Sequence, residues 1–577
     1  EMEKKEITLF CVNDGKNHKI ENGQSLKDLA DKCCKCVTDK KTGQKSDVLA
    51  ALVDNKLKEL SFKPVNLHQV EFIGYNHPDG RRSYVRSLCF VLQNAVRELY
   101  PDKVLVIDHS LPSGLYCEIR EIGKTEDGRS KVYFVTDDEI DSIREKMKEI
   151  VARNLPFTKV KMFSEEAEKM FIENNQPQKA ELQKSLGTFI CSVYYLDRMA
   201  DTFHGPLIPS TGYLKVFDIS GMGNGFCLQS PMMTDFCKVM PMKRQGKIAA
   251  ALKEYSDWCS IINIGSIGTL NKAVKDGKAV SIINLAESLH ERNYARIADR
   301  IYAERGLKRI VMIAGPSSSG KTSSSLRIAL QCKVLGLKPK VIERDNYFVD
   351  REHTPKDEDG NYDFESLYAM DLEFLNKQLN ELLEGKEVEV PRFDFKTGNR
   401  IFEGNKLRLE DKDILIMEGI HALNPEMTSA VDDSRIFRVY VSALTSLNID
   451  ENNNMSTSDN RLLRRMVRDN RVRGITPEET IMRWNSVRRG ESKNIFPFQE
   501  NADALFNSAL IFELPMLKYY AEPLLRRIAP NSPAYTEAVR LLKFLDYIVE
   551  LQPSEIAAIP PTSIMREFIG GQTLTRD

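Results

Sequence analysis

The octapeptide GPSSSGKT, Gly315 to Thr322, constrains this chain more than any other stretch. It fits G-x-x-x-x-G-K-[ST] and stands between an apolar run, RIVMIA, and a segment of helical spacing, SSSLRIAL. Glycines allow consecutive backbone N–H groups to turn inward around anionic oxygens, and the helix that follows adds the positive end of its dipole. The sequence therefore predicts a cradle for a nucleoside triphosphate built from Gly315, Pro316, Ser317, Ser318, Ser319, Gly320, Lys321, Thr322 and Ser323. Lys321 would bridge the β- and γ-phosphates, and the Thr322 hydroxyl would ligate Mg²⁺. The same motif dictates a fold, because a strand–loop–helix unit needs neighbouring strands to complete a sheet. Short buried-type runs follow at intervals, KPKVIERD, DILIMEG, RIFRVYV and SALIFEL, with helical segments between them. That alternation predicts an α/β unit with a doubly wound, mostly parallel sheet.

Strand C-termini of an open parallel sheet converge on the ligand crevice. Asp345, at the end of the second run, and Glu418, at the end of the third, are thereby expected to face Mg²⁺ and the γ-phosphate. Phosphoryl transfer needs an in-line acceptor and cations over the spreading equatorial oxygens. A carboxylate at Asp345 suits the orientation of an incoming hydroxyl and the acceptance of its proton. Downstream, DNRLLRRMVRDNRVRG carries Arg461, Arg464, Arg465, Arg468, Arg471 and Arg473. Three readings of this run stand at this point: a solvated basic helix, a lid closing over phosphate, or a nucleic-acid contact. The last is weakened by overall charge, since 82 Lys and Arg nearly cancel 83 Asp and Glu.

With 577 residues the chain needs three or four domains. Residues 1–64 read as a small α+β unit: ITLFCV as a strand, NDGK as a hairpin turn, QSLKDLADKC as a capped helix, and a strand pair around Asp54–Asn55. Residues 65–230 mix strands with two amphipathic helices. Residues 231–307 form a helical connector, with Ile282, Leu285, Leu289, Ile297 and Ile301 on one stripe. The sheet domain spans 308–530, and 531–577 form a C-terminal helix and tail. Eleven scattered cysteines suit free thiols in a reducing cytoplasm, CCKC lacks a second pair at zinc spacing, and no apolar run has membrane-spanning length.

Over about residues 309–528 the chain resembles the uridine kinase family of P-loop kinases. The likeness rests on GPSSSGKT, RDNYF, NYDFESLYAMDLEF, PRFDFKTGNR, ILIMEGIHAL and the arginine segment. It implies ATP and Mg²⁺ as cofactors, a homo-oligomer, and phosphorylation of a ribonucleoside 5′-hydroxyl, with uridine or cytidine leading. By the same likeness Asp345 is general base and Mg²⁺ neighbour, Glu418 a second Mg²⁺ neighbour, and Lys321, Arg465 and Arg468 act on the transferring phosphate. Asp363 would bind the ribose hydroxyls, Arg465 and Arg473 the substrate, and Tyr362, Phe393 and Phe395 its pocket. Base-reading positions depart from the pattern: Phe393 stands for Tyr, Gly398 for His and Ile475 for Arg, while Arg483 falls at a Gln position. Another hydroxyl substrate, a purine nucleoside or a sugar phosphate, thus stays open. So does a nucleotide switch in an RNA-binding regulator.

The front of the chain has its own resemblance, 6–64 to TGS domains and 65–230 to the editing region of threonyl-tRNA synthetases. The editing histidines and cysteine of that family fall here on Arg86, Phe90, Phe203 and Leu207, the last two in DTFHGPLIP. The resemblance thus implies a fold without editing chemistry, kept to bind RNA or a small-molecule ligand or to assemble the protein. His109 and His204 are expected to be satisfied structural histidines.

Overall fold

The computed structural model describes residues 6–65, 68–123, 130–243, 246–356, 360, 362–394, 396–445 and 447–575. In the C-terminal half five parallel strands form one sheet: β1 (Ile310–Ala314), β2 (Lys338–Glu343), β3 (Asp413–Glu418), β4 (Ile436–Ser442) and β5 (Ala504–Asn507). Their order is β2–β3–β1–β4–β5, which puts the strand before the phosphate loop in the centre. The three inner strands are buried along almost their whole length, whereas β2 and β5 at the edges alternate. Inner strands covered on both faces by helices must be apolar at every position, and an edge strand need not be. SALIFEL is not a strand: β5 lies four residues earlier, and 508–512 lead into α4 (Glu513–Leu525). Leu510, Ile511 and Phe512 are buried by helices, and an apolar run alone does not distinguish that setting from a strand.

Helix α1 (Lys321–Val334) leaves the phosphate loop, α2 (Thr457–Arg473) carries the arginines, and α3 (Pro477–Asn494) folds back on it. Gly474, left-handed at φ 63°, ends α2, and a Thr476–Glu479 capping box starts α3. Three further helices follow among the described residues, α5 (Tyr535–Leu545), the one-turn Pro553–Ala557 and the short α6 (Met565–Ile569). The long helix Ala279–Glu304 runs into β1, and its buried stripe is Ile282, Ile283, Ala286, His290, Tyr294, Ile297 and Ile301. Leu285, expected on that stripe, is 44% exposed because it lies one helical step to its side.

Among the described residues the front half holds four sheets, the smallest a two-stranded pair of 36–38 and 45–47. The first, in the order 16–21, 6–11, 68–73, 50–53, 56–58, takes its central strand, His68–Ile73, from beyond residue 64. Asp54 and Asn55 both adopt positive φ, as the two-residue turn between its last strands requires. The second sheet joins 103–111, 114–121, 132–133, 218–222 and 225–229, against which the helices Pro78–Leu99 and Asp137–Ala152 pack. The third is built from 158–163, 190–196 and 199–201. All eleven cysteines are unpaired, and among the described residues no helix is long and apolar enough to cross a membrane.

A loop after β4, residues 448–454, fastens the two halves together. The Asn452 amide donates to Leu105 O at 2.9 Å, Asn448 to Ile107 O at 3.0 Å and Asn453 to Thr202 O at 3.0 Å. At the centre, fully buried Lys179 meets Asp450 at 2.9 Å and Asp201 at 3.1 Å. Burial pushes the carboxyls of Asp201 and Glu451 up to about 7, although Lys179 opposes the shift in both. A buried lysine without these carboxylates would cost several kcal/mol, so the contact specifies one docking of the halves.

Candidate active site

The phosphate loop is held open from several sides. Gly315 lies so close to β4 that an added Cβ would sit 2.0 Å from Val441 O, and Gly320 is left-handed at φ 83° with Ile564 against it. Ser318 also adopts a positive φ of 59°, a conformation that a non-glycine residue keeps only when its surroundings impose it. The hydroxyls of Ser318 and Ser319 are buried with no partner among the described residues. Unsatisfied donors within a loop of inward-turning amides fit polyphosphate oxygens better than a structural turn.

Around the loop the predicted cationic and acidic residues assemble. The Thr322 hydroxyl lies 3.0 and 3.1 Å from the two carboxylate oxygens of Glu418, to which it donates. Lys321 Nζ donates to Pro316 O at 3.2 Å. Burial lowers the Lys321 pKa, which Glu418, Glu567 and Glu491 oppose, and burial raises that of Glu418. Asp345 sits in the turn after β2, paired with Arg344 at 2.9 Å, and its charge is felt at Glu418. Lys321, Thr322, Asp345 and Glu418 thus stand together at the C-terminal ends of β1, β2 and β3.

Helix α2 is not a solvated basic helix. Arg461 and Arg464 are buried, and both reach back to the loop. Arg461 donates to Ser317 O at 3.1 Å and pairs with Glu491 at 2.6 Å. Arg464 pairs with Glu513 and donates to Ser508 O at 2.8 Å. One turn on, Arg465 donates to Ser317 Oγ at 2.8 Å, and Arg468 lies 3.7 Å from Glu567. Arg473 is more remote; it is exposed and meets Asp469 at 3.4 Å.

The acceptor-side residues are looser. Asp363 accepts the Glu365 N–H at 3.1 Å, and Tyr362 is exposed, its ring 6.3 Å from that of Phe364. Phe393 is buried edge-on to Phe348, and Phe395 lies outside the described residues. Gly398 is left-handed at φ 76°, and a Cβ there would fall 2.8 Å from Arg351 Nε, so Arg351 fills the room a larger side chain would need.

Residues 310–511 match the phosphoribulokinase / uridine kinase family. The uridine kinase of Macrococcus caseolyticus is 32% identical over 197 residues, which cover 34% of this chain and 86% of that protein. The chain belongs to this family. It is a P-loop kinase and hence a phosphotransferase. The uridine kinase of Staphylococcus epidermidis is 30% identical over the same shares. The front half is similar to the threonine–tRNA ligase of Clostridium kluyveri, 27% identical over 218 residues. The matched part is 38% of this chain and 32% of that ligase, so the chain spans about a third of the ligase's length.

Three carboxylates of this kinase's site escape a sequence reading. Glu491 of α3 accepts the Ser317 N–H at 2.8 Å, and Glu365 stands beside Arg465 and is raised in pKa chiefly by burial. Glu567, in the C-terminal tail, lies 2.5 Å from Ser323 Oγ, which Gln572 also reaches at 2.8 Å. The tail segment PPTSIMREFIGGQ therefore packs onto the phosphate loop. A conspicuous sequence signal for Glu567 is lacking, since a lone glutamate in a short helix has no periodicity to betray its partner.

The four residues that the resemblance aligns with editing positions lie close together in the front half. The rings of Phe90 and Phe203 are 5.2 Å apart, Leu207 is buried, and Arg86 donates to Pro206 O at 3.0 Å. The nearby histidines are not fully satisfied. His109 Nδ1 meets Asp108 at 2.7 Å but its Nε2 has no partner, and neither has His204 Nδ1. Asp108 thus fixes the His109 ring through one nitrogen, and the expected hydrogen bond is missing at His109 Nε2 and at His204 Nδ1.

Proposed function

We propose that this kinase transfers the γ-phosphoryl group of ATP to the 5′-hydroxyl of a ribonucleoside, with uridine and cytidine as leading substrates. The single observation that carries the reading is the Thr322–Glu418 contact at 3.0 Å beside Lys321 and Asp345. It gathers, at the strand ends, the hydroxyl and carboxylates that suit a divalent cation and the lysine that suits a triphosphate. The similarity to uridine kinases supports the acceptor class.

In this reading Thr322, Asp345 and Glu418 hold Mg²⁺, which when bound offsets the charge of the triphosphate. Loop amides and the Ser318 and Ser319 hydroxyls bind phosphate oxygens. Asp345 orients the acceptor hydroxyl and takes its proton as the new P–O bond forms. Arg465 and Arg468 lie over the transferring group, and α2 closes against the loop to exclude water.

A second reading, another hydroxyl substrate such as a purine nucleoside or a sugar phosphate, is favoured by the Arg351–Gly398 contact. The position that carries a base-reading histidine in pyrimidine kinases has no room for one here. A panel of nucleosides and sugar phosphates, assayed for ATP-dependent phosphorylation by purified protein, separates the two. Turnover confined to sugar phosphates would reject the nucleoside reading.

A further inference from the structure

Behind α2, at the junction of the two halves, lies a cavity of about 280 Å³ that the kinase reaction does not use. Its wall contains Arg81, Arg82, Arg86, Arg488 and Arg540, with Asp459 the lone lining carboxylate among the described residues. Two of these arginines are neutralised. Arg82 meets Asp79 at 2.8 Å and Glu537 at 2.9 Å, while Arg540 holds Asp459 through two contacts of 2.7 Å. Three are not: no carboxylate oxygen among the described residues lies within ion-pair distance of Arg81, Arg86 or Arg488. Five guanidinium groups thus face three carboxylates, Asp79, Asp459 and Glu537.

Arg86 is the most telling of them. Its side chain is buried, at 9% exposure, yet it bonds only neutral acceptors, Pro206 O and Ser83 Oγ. Gly205 lies flat on its guanidinium, and a Cβ there would approach Cζ to 2.6 Å. The group is therefore seated on purpose, and it cannot shed its charge, because arginine stays protonated in proteins. Beside it His204 leaves Nδ1 without a partner, and burial together with Arg86, Arg540 and Arg82 pushes its pKa down to about 3. A neutral imidazole in this wall accepts or donates a hydrogen bond without adding charge. Phe203 and Phe544 supply an apolar side, and Asn452 and Asn454 supply amides.

A surplus of guanidinium forks along one wall calls for an anion that accepts paired N–H groups, which is phosphate chemistry. The volume lies at the small end of the range for small-molecule sites, and Arg81, Arg82, Asp459 and Arg488 also line a neighbouring cleft of about 840 Å³. We propose that this cavity binds a small phosphate ester, of nucleoside monophosphate size or less, gripped by Arg86 with Arg81 and Arg488. The site adjoins the first turn of α2 through Arg540 and Asp459, on the helix whose later turns carry Arg465 and Arg468 to the phosphate loop. The proposal stands apart from the kinase reading, since none of its residues touches that loop.

Calorimetric titration of the full chain with uridine monophosphate and with inorganic phosphate tests it, in wild type and in Arg86→Met, Arg488→Gln and Lys321→Met. The expected result is one monophosphate site that survives Lys321→Met and is weakened at least tenfold by Arg86→Met and by Arg488→Gln. The KM for ATP should stay within twofold in both arginine variants. If Arg86→Met fails to fold by circular dichroism, Arg488→Gln, on the outer rim, decides alone. Three results overturn the proposal: no heat with either probe, binding insensitive to the arginine variants, or binding lost in Lys321→Met. A response to a single-stranded RNA oligonucleotide without one to monophosphate also overturns it and assigns the surface to RNA.

Discussion

The phosphate loop and the cavity behind α2 are both lined with arginine, yet they treat its charge in opposite ways. At the loop, Arg461 has Glu491, Arg464 has Glu513, and Arg465 and Arg468 share Asp469. In the cavity, Arg81, Arg86 and Arg488 lack any such partner among the described residues. A paired guanidinium is held in place without a ligand, and an unpaired one has charge to give to one. The difference separates arginines that build a site from arginines that wait for its contents.

The largest effect should come from the chemistry of the loop. Asp345→Asn is expected to retain nucleotide binding and to lower kcat about 10²- to 10⁴-fold, the range for a positioned general base. Near-normal kcat in steady-state assays would strike Asp345 from that role. Next in size is the paired scaffold. Arg464→Met leaves the Glu513 carboxylate buried without its cation, with only Asn460 and the Leu510 N–H as donors, and breaking such a pair costs about 3–5 kcal/mol, to be read from chemical denaturation. A loss below about 1 kcal/mol, the range of exposed pairs, would show that the neutralised arginines matter little to the fold.

The contact between the halves offers a pH test. The carboxyls of Asp201 and Glu451 titrate near 7 in the folded chain, above the ordinary values of 3.8 and 4.5. A raised carboxyl pKa means that the folded state binds the extra proton, so their contribution is complete below about pH 4 and is lost as pH rises through about 7. Asp201→Asn, which mimics the protonated form, should gain stability relative to wild type between pH 5 and pH 8. A difference in melting temperature that is flat with pH would contradict the shift. The smallest effect is expected at the tail. Glu567→Gln removes a negative charge beside Lys321 and Ser323, and should lower the KM for ATP by about threefold, on the scale of one screened charge contact. A higher KM would instead make Glu567 part of the nucleotide pocket.

Much of the fold was legible because its signals are local. The inner strands β1, β3 and β4 announce double-sided burial by unbroken apolar runs, and the Ser25 cap in QSLKDLADKC marks a helix start without reference to the rest of the chain. SALIFEL failed for the same reason, since an apolar run reports burial and not the geometry of what buries it. At the candidate site, Lys321, Thr322, Asp345 and Glu418 could be read off because each sits at a strand end or in the loop motif. Phe393 shows the limit: a resemblance to a pocket aromatic cannot tell whether the ring faces a ligand or, as here, the ring of Phe348.

From the amino-acid string alone came the strand–loop–helix of GPSSSGKT and the parallel sheet behind it. Each follows from residue type and spacing within a few turns of chain. Only the tertiary structure decided that Glu491 and Glu567 reach the cradle from 174 and 244 residues away, and that Arg86 stands unpaired in a shared cavity. Periodicity records that a side chain is buried; which charge it meets there depends on how distant segments dock, and that is settled by packing in three dimensions.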